Sequence, residues 1–497
     1  MTDATRWDLL GCYRDTGVAT PHLDRLAASG TRFERAYTTQ PVCAPARSAL
    51  FTGTWPHTNG TWSNNLAPGL DVPTLGQRLR DRSVEAAYIG KWHLDGTDYF
   101  GNGRCPDGWN PEYWYDMRTY LEELSPDERR ASRNPATVET PGVDAEFTYA
   151  HRCTERALDF LTDHADADFL LVVSYDEPHD PGITPPEYAA RYQDFVFPDD
   201  ENVRDDLTSK PEHQRVWAGP RLTEERGAYE RRGARYFAAQ EFVDAQIGRV
   251  LDAIDALAPG ALVLYTSDHG DMLGSHRLYA KGPAMYDEIA RVPLLARLPG
   301  TTPPGSVAPH PVSHIDIAPT VLRHLGLAVP ELMPGTALQD ALADPAVRVN
   351  DAVFVEFGRY EVDHDGFGGF QPMRGVFDGT YKLVVNLLSG DELYDLAADP
   401  GELRNLIDEP AHALRRDALH ERLLDWMNTT RDPFRGAYWE RRPWRTDACE
   451  ATWDHDGMTR QRPDDPGYQP RLLDYVTGLE MVQSVRAKEP PPGTPAP

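Results

Sequence analysis

The chain has 497 residues, 40% hydrophobic, 10% aromatic and 26% charged, a globular composition with enough length for a large core. A formal net charge of −28 excludes nucleic acid and anionic membranes as partners held by general electrostatics, since that binding needs clustered Lys and Arg. No run reaches the ~20 apolar residues of a membrane span, MTDATRWDLLGCY lacks the character of a leader, and five scattered cysteines make no disulfide framework.

These features predict a cytoplasmic protein. Along the chain, VEAAYIG (84–90), FLLVVSYD (169–176), ALVLYTSD (261–268) and VPLLARLP (292–299) read as buried strands. Helical segments fall between them, at 143–164 and at 231–258. The second carries Phe237, Phe242, Val243, Ile247, Val250, Leu251 and Ile254 at helical spacing. The alternation predicts an α/β fold with a mostly parallel central sheet and helices on both faces. Its ligand site would lie outside the carboxyl ends of the strands. Beyond 350 the runs shorten to VFVEFG, RGVFDG, YKLVVNLL and DELYDL, followed by a helix near 411–427, which predicts a smaller antiparallel α+β subdomain. The expected division is a catalytic domain over 1–350, the subdomain over 351–430, and an extension over 431–497 whose Pro-rich last ten residues are expected to be disordered. Segments 95–141 and 177–227 are polar, Pro-rich and punctuated by Trp and Tyr, and read as insertions over the site.

The sharpest motif is PVCAPARSALFTGTWPHTNG, which holds Cys43-Ala44-Pro45-Ala46-Arg47 and then Thr52-Gly53. It resembles the signature of the sulfatase family, Cys-x-Pro-x-Arg followed by Thr-Gly, in which the cysteine is oxidised to formylglycine. Alone, Cys43 would read as a buried structural cysteine; Pro45, Arg47 and Thr52-Gly53 in register reverse that reading. The resemblance implies a hydrated aldehyde at position 43, one hydroxyl attacking sulfur and the other remaining to expel sulfate. Pro45 restricts the local backbone. A helix starting near Arg47 would aim free N–H groups at a bound anion, and Arg47 would add a fixed cation.

Further blocks follow the family's order. Gly90-Lys91-Trp92-His93-Leu94 resembles its Gly-Lys-Trp-His-Leu-Gly, where Lys91 would hold a sulfate oxygen and His93 would hydrogen-bond the diol. Pro178-His179-Asp180-Pro181 resembles Pro-His-x-Pro, placing His179 near the leaving-group oxygen. Ser267-Asp268-His269-Gly270-Asp271 resembles the metal-binding Ser-Asp-His-Gly, with Asp271 orienting its neighbours. Lys281, before Gly282, matches a lysine that contacts sulfate and leaving group. Thr2-Asp3-Ala4 looks like the opening segment, where an Asp at the end of the first strand binds metal; Ala4 stands where many relatives have a second Asp or a Gln. An apolar strand is expected to precede that Asp, so the natural chain is expected to begin upstream of Met1. The motifs span about 1–330, and a looser pattern at Asp378–Leu383, Glu392–Leu396 and Asp399-Pro400 extends the resemblance to about 410.

The resemblance thus implies hydrolysis of a sulfate monoester by S–O cleavage. A divalent cation would be held by Asp3, Asp268, His269 and the formylglycine at 43, with Asp268 also placed to accept the nucleophile's proton. Calcium is the implied metal, and the imidazole at 269 keeps manganese as the alternative. Arg47, Lys91 and Lys281 would bind sulfate oxygens, and His179 and Lys281 would assist departure of the alcohol. The expected partners are a small anionic sulfated substrate and a formylglycine-generating or equivalent maturation enzyme. Trp55, His57, Trp62, Trp109, Trp114 and Tyr115 suggest stacking on a sulfated carbohydrate. The rival readings are a phosphonate or phosphate ester hydrolase of the same alkaline-phosphatase-like superfamily, and an inactive binding protein with the same fold. Retention of Cys43, Lys91, His93, His179 and Lys281 argues against the last.

Overall fold

Two sheets and a strand pair frame the region where the motifs meet. The computed structural model describes residues 1–80, 82–139, 143–198, 200–222, 230–362 and 369–451, with 473 and 478 from the remainder. The last ten residues, for which disorder was expected, lie outside the described residues. In chain order the strands are β1 (Thr31–Tyr37), β2 (Glu85–Gly90), β3 (Phe169–Ser174), β4 (Val263–Thr266), β5 (Arg291–Val292), β6 (Leu294–Arg297), β7 (Ser306–Ser313), β8 (Val353–Phe357), β9 (Met373–Phe377), β10 (Tyr381–Asn386) and β11 (Glu392–Asp395).

The largest sheet runs β4-β6-β1-β5, with β7 alongside β1. Its pairings β4·β6, β6·β1 and β1·β5 are antiparallel, and only β1·β7 is parallel. The mostly parallel central sheet predicted from the sequence is therefore corrected to a mainly antiparallel one. A parallel step needs a crossover of a dozen or more residues, usually a helix. From β4 the chain returns to β6 by way of β5, through a loop after 266 whose helical elements are a three-residue turn of 3-10 helix (Ser275–Arg277) and the four-residue helix Asp287–Ala290. It re-enters the sheet reversed. Apolar runs report burial, and burial carries no strand direction. Two members of this sheet escaped the pattern altogether, since β1 carries Arg32, Glu34 and Arg35, and β7 carries Pro309 and Pro311.

β2 and β3 pair in parallel, from Glu85 opposite Phe169 to Gly90 opposite Ser174. Alternate residues of β2 face opposite layers. Ala86 and Tyr88 pack with Leu50, Phe51, Leu75 and Leu79, whereas Ala87 and Ile89 pack with Phe160, Leu161, Phe242 and Val243. Each large side chain fully buried there stabilises the fold by roughly 1.5–3 kcal/mol. The helices of the second layer are Tyr149–His164 and Glu230–Leu257. Thr148 accepts the His151 N–H, and this cap starts the first of them at Tyr149 instead of 143.

The first residues of the chain lie between the carboxyl ends of β3 and β4. The Tyr175 N–H donates to Met1 O at 3.0 Å, the Thr2 N–H to Thr266 O at 3.1 Å and the Asp268 N–H to Thr2 O at 3.3 Å. Asp3 is thereby set level with the ends of both strands. Toward their amino ends the space between β3 and β4 is an apolar cavity of about 510 Å³, lined by Phe169, Leu171, Val173, Ile247, Leu251 and Val263 among others.

β8 to β11 form the expected small antiparallel sheet, in the order β11-β10-β9-β8. Its Val353, Val355 and Phe357 pack with Tyr37 and with Val42, the residue before Cys43. Two compact units divide the chain, Met1–Leu419 and His420–Pro497. Within the second, Arg435 pairs with Glu440 at 2.9 Å, both buried, and His420 Nε2 bonds Trp439 O at 2.7 Å. Among the described residues no helix is long and apolar enough to cross a membrane.

Candidate active site

Cys43 opens the helix Cys43–Thr52. The residue before it, Val42, is extended (φ −147°, ψ 140°) and buried, so the chain turns into the helix at Cys43, four residues earlier than the expected start near Arg47. The Ala44 N–H donates to Asn64 Oδ1 at 3.0 Å. Pro45, in the first turn, has no N–H to leave unsatisfied. Gly53 closes the helix in the left-handed region at φ 68°. Arg47 falls one turn after Cys43, on the same helix face.

Arg47 is fully buried and is held inside the protein by hydrogen bonds from all three of its nitrogens. Nε donates to Asp268 Oδ2 at 3.0 Å and Nη2 to Asp3 Oδ2 at 2.9 Å, while Nη1 donates to Lys91 O at 2.6 Å and Ser174 Oγ at 2.8 Å. The geometry makes it a clamp on two carboxylates.

With Oδ2 of each carboxylate held, Oδ1 of each turns toward the cysteine. One ligand atom each from Asp3, Cys43, Asp268 and His269 lie within 4.8 Å of one another, all four residues buried. Cys43 Sγ is 3.2 Å from His269 Nε2 and 3.8 Å from Asp3 Oδ1, and His269 Nε2 is 3.7 Å from Oδ1 of both Asp3 and Asp268. His269 Nδ1 lies 2.7 Å from Gly270 O, which can only accept, so Nδ1 carries a proton and Nε2 faces the cluster, where it would offer its lone pair to a metal. Two carboxylate oxygens, one imidazole lone pair and the side chain of residue 43 converge as a set that fits a divalent cation. Ala4 adds no side-chain donor; its N–H donates to Asp268 Oδ1 at 3.1 Å. Gly270 is required by close approach, since a Cβ there would stand 1.9 Å from Glu288 O.

Cations surround this cluster. Lys91, directly after β2, lies 2.8 Å from Asp3 Oδ2 and 3.1 Å from Asp176 Oδ1, ion pairs that leave Nζ without hydrogen-bond geometry to either. Burial alone would raise Asp3, but Lys91, His179, Arg47 and His269 hold it well below the usual carboxylate range. Burial and Asp3 likewise oppose a thiolate at Cys43, yet Lys281, Lys91 and His269 bring its pKa well below that of an ordinary thiol. The cysteine is placed to be reactive.

Lys281 comes from the loop after β4, which Asp271 shapes by accepting the Leu273 and Ala280 N–H groups at 2.9 and 3.1 Å. Lys281 Nζ donates to His179 Nε2 at 3.0 Å. His179 Nδ1 lies 3.0 Å from Asp180 O and must carry the proton. The His179 side chain is 20% exposed, so this edge of the site opens outward. His93 takes an unusual φ of 58°, and both of its ring nitrogens are buried. Burial lowers its pKa against the hydrogen bond and charge of Cys43, leaving a neutral imidazole beside the cysteine.

The structure thus gathers Asp3, Cys43, Arg47, Lys91, His93, His179, Asp268, His269 and Lys281 into one place. Three neighbours escaped the sequence reading. Asn64 holds the helix start, and Tyr99 and Asp176 stand beside Lys91 and His179. Only Asp176 left a trace in the sequence, by its place just past the carboxyl end of β3. The aromatic residues expected to stack on a sugar are instead core. Trp55, His57, Trp109, Trp114 and Tyr115 are all 9% exposed or less, and Trp109 and Trp114 pack edge-on or tilted against Tyr88 and Trp92. Trp62 is partly exposed.

Comparison with known proteins accords with this geometry. The family model described as Sulfatase matches residues 1–327, and that described as N-sulphoglucosamine sulphohydrolase, C-terminal, matches 274–429. The chain is 46% identical over 503 residues to the uncharacterized sulfatase YidJ of Escherichia coli K12, covering 98% of this chain and 97% of that one. A structure solved in complex with its substrate D-glucosamine-2-N,6-O-disulfate superposes with a TM-score of 0.72 at 20% identity, covering 89% of this chain and 98% of the other. The phosphonate monoester hydrolase of Silicibacter pomeroyi superposes with a TM-score of 0.71 at 23% identity, covering 87% and 95%.

Proposed function

This chain belongs to the sulfatase family, and on that premise we propose that it hydrolyses sulfate monoesters, those of sulfated carbohydrates foremost, through residue 43 after its oxidation to formylglycine. The observation that carries this reading is the convergence of Cys43 with four metal-donor side chains' worth of ligands, itself included, and with Lys91, His93 and Lys281 at one buried point. The hydrated aldehyde supplies an oxygen nucleophile and a second hydroxyl through which sulfate can leave. Asp3, Asp268, His269 and residue 43 would hold the divalent cation, calcium before manganese, and the cation when bound neutralises charge on the sulfate oxygens.

The chain's own side chains do the rest. Arg47 keeps both carboxylates turned inward. Lys91 and Lys281 are held charged by the anions around them, each with its pKa above the ordinary lysine value against the cost of burial, and act on the anion from two sides. His93, held neutral beside residue 43, is placed to accept or return a proton there. Lys281 and His179 share a proton at the open edge, where the alcohol would leave. Maturation of Cys43 requires a formylglycine-generating or equivalent enzyme as a partner.

The two superposed structures, one holding a sulfated sugar and one a phosphonate monoester hydrolase, differ by 0.01 in TM-score, so the fold does not separate sulfate from phosphonate chemistry. The sulfated sugar in one of those structures supports carbohydrate as the alcohol. The test is the rate of protein co-produced with a formylglycine-generating enzyme on an aryl sulfate, an aryl phosphonate monoester and a panel of sulfated sugars. A higher kcat/KM on the sulfate supports the reading; turnover of the phosphonate alone refutes it.

A further inference from the structure

One carboxylate is enough to hold a buried ammonium, but Lys91 has two. Asp3 lies 2.8 Å from its Nζ and is needed for the metal-donor set; Asp176 lies 3.1 Å away and belongs to no such set. Asp176 is buried at the carboxyl end of β3. Tyr99 reaches in from the segment 95–116, donates its hydroxyl to Asp176 Oδ1 and places its ring 4.0 Å below Lys91 Nζ. The Tyr99 hydroxyl is also 3.2 Å from His179 Nδ1, so the carboxylate is tied to both edges of the anion pocket. A second carboxylate beside a lysine that must bind an anion weakens the attraction, which is a disadvantage unless too much attraction is harmful.

Charge distinguishes the esters such a pocket meets. A sulfate monoester carries one negative charge and a fully ionised phosphate monoester carries two. Every residue that binds the tetrahedral group by charge favours the doubly charged one. We propose that Asp176, held by Tyr99, lowers the positive charge of this pocket and so makes it select singly charged esters over doubly charged ones. The inference rests on the sulfatase reading and gives Asp176 the role of a specificity-determining residue that need not touch the substrate. A unit charge about 6 Å from the anion, at an effective dielectric near 20, shifts the balance between a singly and a doubly charged ligand by roughly 100-fold.

Two isosteric inhibitors test this without turnover: benzenesulfonate, singly charged, and phenylphosphonate at a pH where it is doubly ionised. Their dissociation constants are measured by calorimetry on the matured, metal-loaded enzyme and on Asp176→Asn, with Asp176→Ser as a second neutral variant should the first not fold and Asp176→Glu as the restoring one. The ratio of affinities should move at least tenfold toward phenylphosphonate in the neutral variants and return in Asp176→Glu. Relative kcat/KM on aryl phosphate over aryl sulfate should move the same way. A ratio unchanged while both affinities shift together would show that Asp176 only orients Lys91, and would overturn the proposal. Failure of the wild-type enzyme to cleave any sulfate would refute the sulfatase reading instead, and the calorimetric ratio would still decide the role of Asp176.

Discussion

Arg47 Nε donates to Oδ2 of Asp268 at 3.0 Å, and neither residue is exposed. Through Nη2 the same guanidinium grips Asp3, so one cation holds two carboxylates that would otherwise repel. Removing one partner of a buried pair typically costs about 3–5 kcal/mol. Arg47→Ala should therefore lower the urea midpoint substantially and leave the purified protein short of metal by elemental analysis. Arg47→Lys should recover little, because an ammonium cannot bridge both carboxylates in a fixed plane. Normal stability and metal content with lost activity would instead place Arg47 against the substrate.

Lys91 and Lys281 carry a different burden. Both remain charged at any accessible pH and both border Cys43. Replacing either by Ala should lower kcat on a poorly activated sulfate ester by about 10²–10³, the scale of losing one preorganised electrostatic contact to the transition state. Near-wild-type kcat in either variant would remove that lysine from the reacting centre.

Glu177 gives the fold a pH signature. Burial, and then the Asp176 carboxylate, push it up to about 8 from 4.5, so the folded chain keeps a proton that the unfolded chain releases. Its Oε1 accepts the Ala150 N–H at 3.3 Å, and its Oε2 has no partner. Between those two values the folded state binds more protons. The contribution of Glu177 is thus fully present below 4.5 and is lost as pH rises toward 8, with a slope of up to about 1.4 kcal/mol per pH unit. Urea midpoints of wild type and Glu177→Gln should diverge in favour of the variant as pH rises through that window, and run parallel above it. Parallel curves throughout would mean that Glu177 ionises as freely as in the unfolded chain.

The chemistry of this chain was more legible than its architecture, for a physical reason. The groups of the candidate site sit at strand ends and helix starts within short contiguous blocks, so Cys43, Lys91, His93, His179, Asp268, His269 and Lys281 could each be proposed from a few neighbours. Strand direction depends on what the chain does between strands, and the loop after β4 that reverses it contains no apolar pattern to read. β1 and β7 were hidden by charge and proline. The Trp residues of the 95–141 insertion suggested a binding face only because composition does not tell an aromatic cluster packed on Tyr88 from one open to solvent. Arg47 was recognised, but its task depends on which atoms surround it, and no spacing encodes that Asp3 and Asp268 both accept hydrogen bonds from it. Tyr99 has no local signature at all, since its partner Asp176 lies 77 residues away.

The central claim is that oxidised residue 43 is the nucleophile, and mass spectrometry of the Cys43 peptide combined with aryl sulfate turnover on the same preparations tests it most directly. Preparations made with and without a formylglycine-generating enzyme should contain a Cys43 peptide about 18 Da lighter than the thiol form in different proportions. The rate should rise in proportion to the lighter peptide, and Cys43→Ala should fold but not turn over. Full sulfate hydrolysis by protein whose Cys43 is entirely thiol would contradict it.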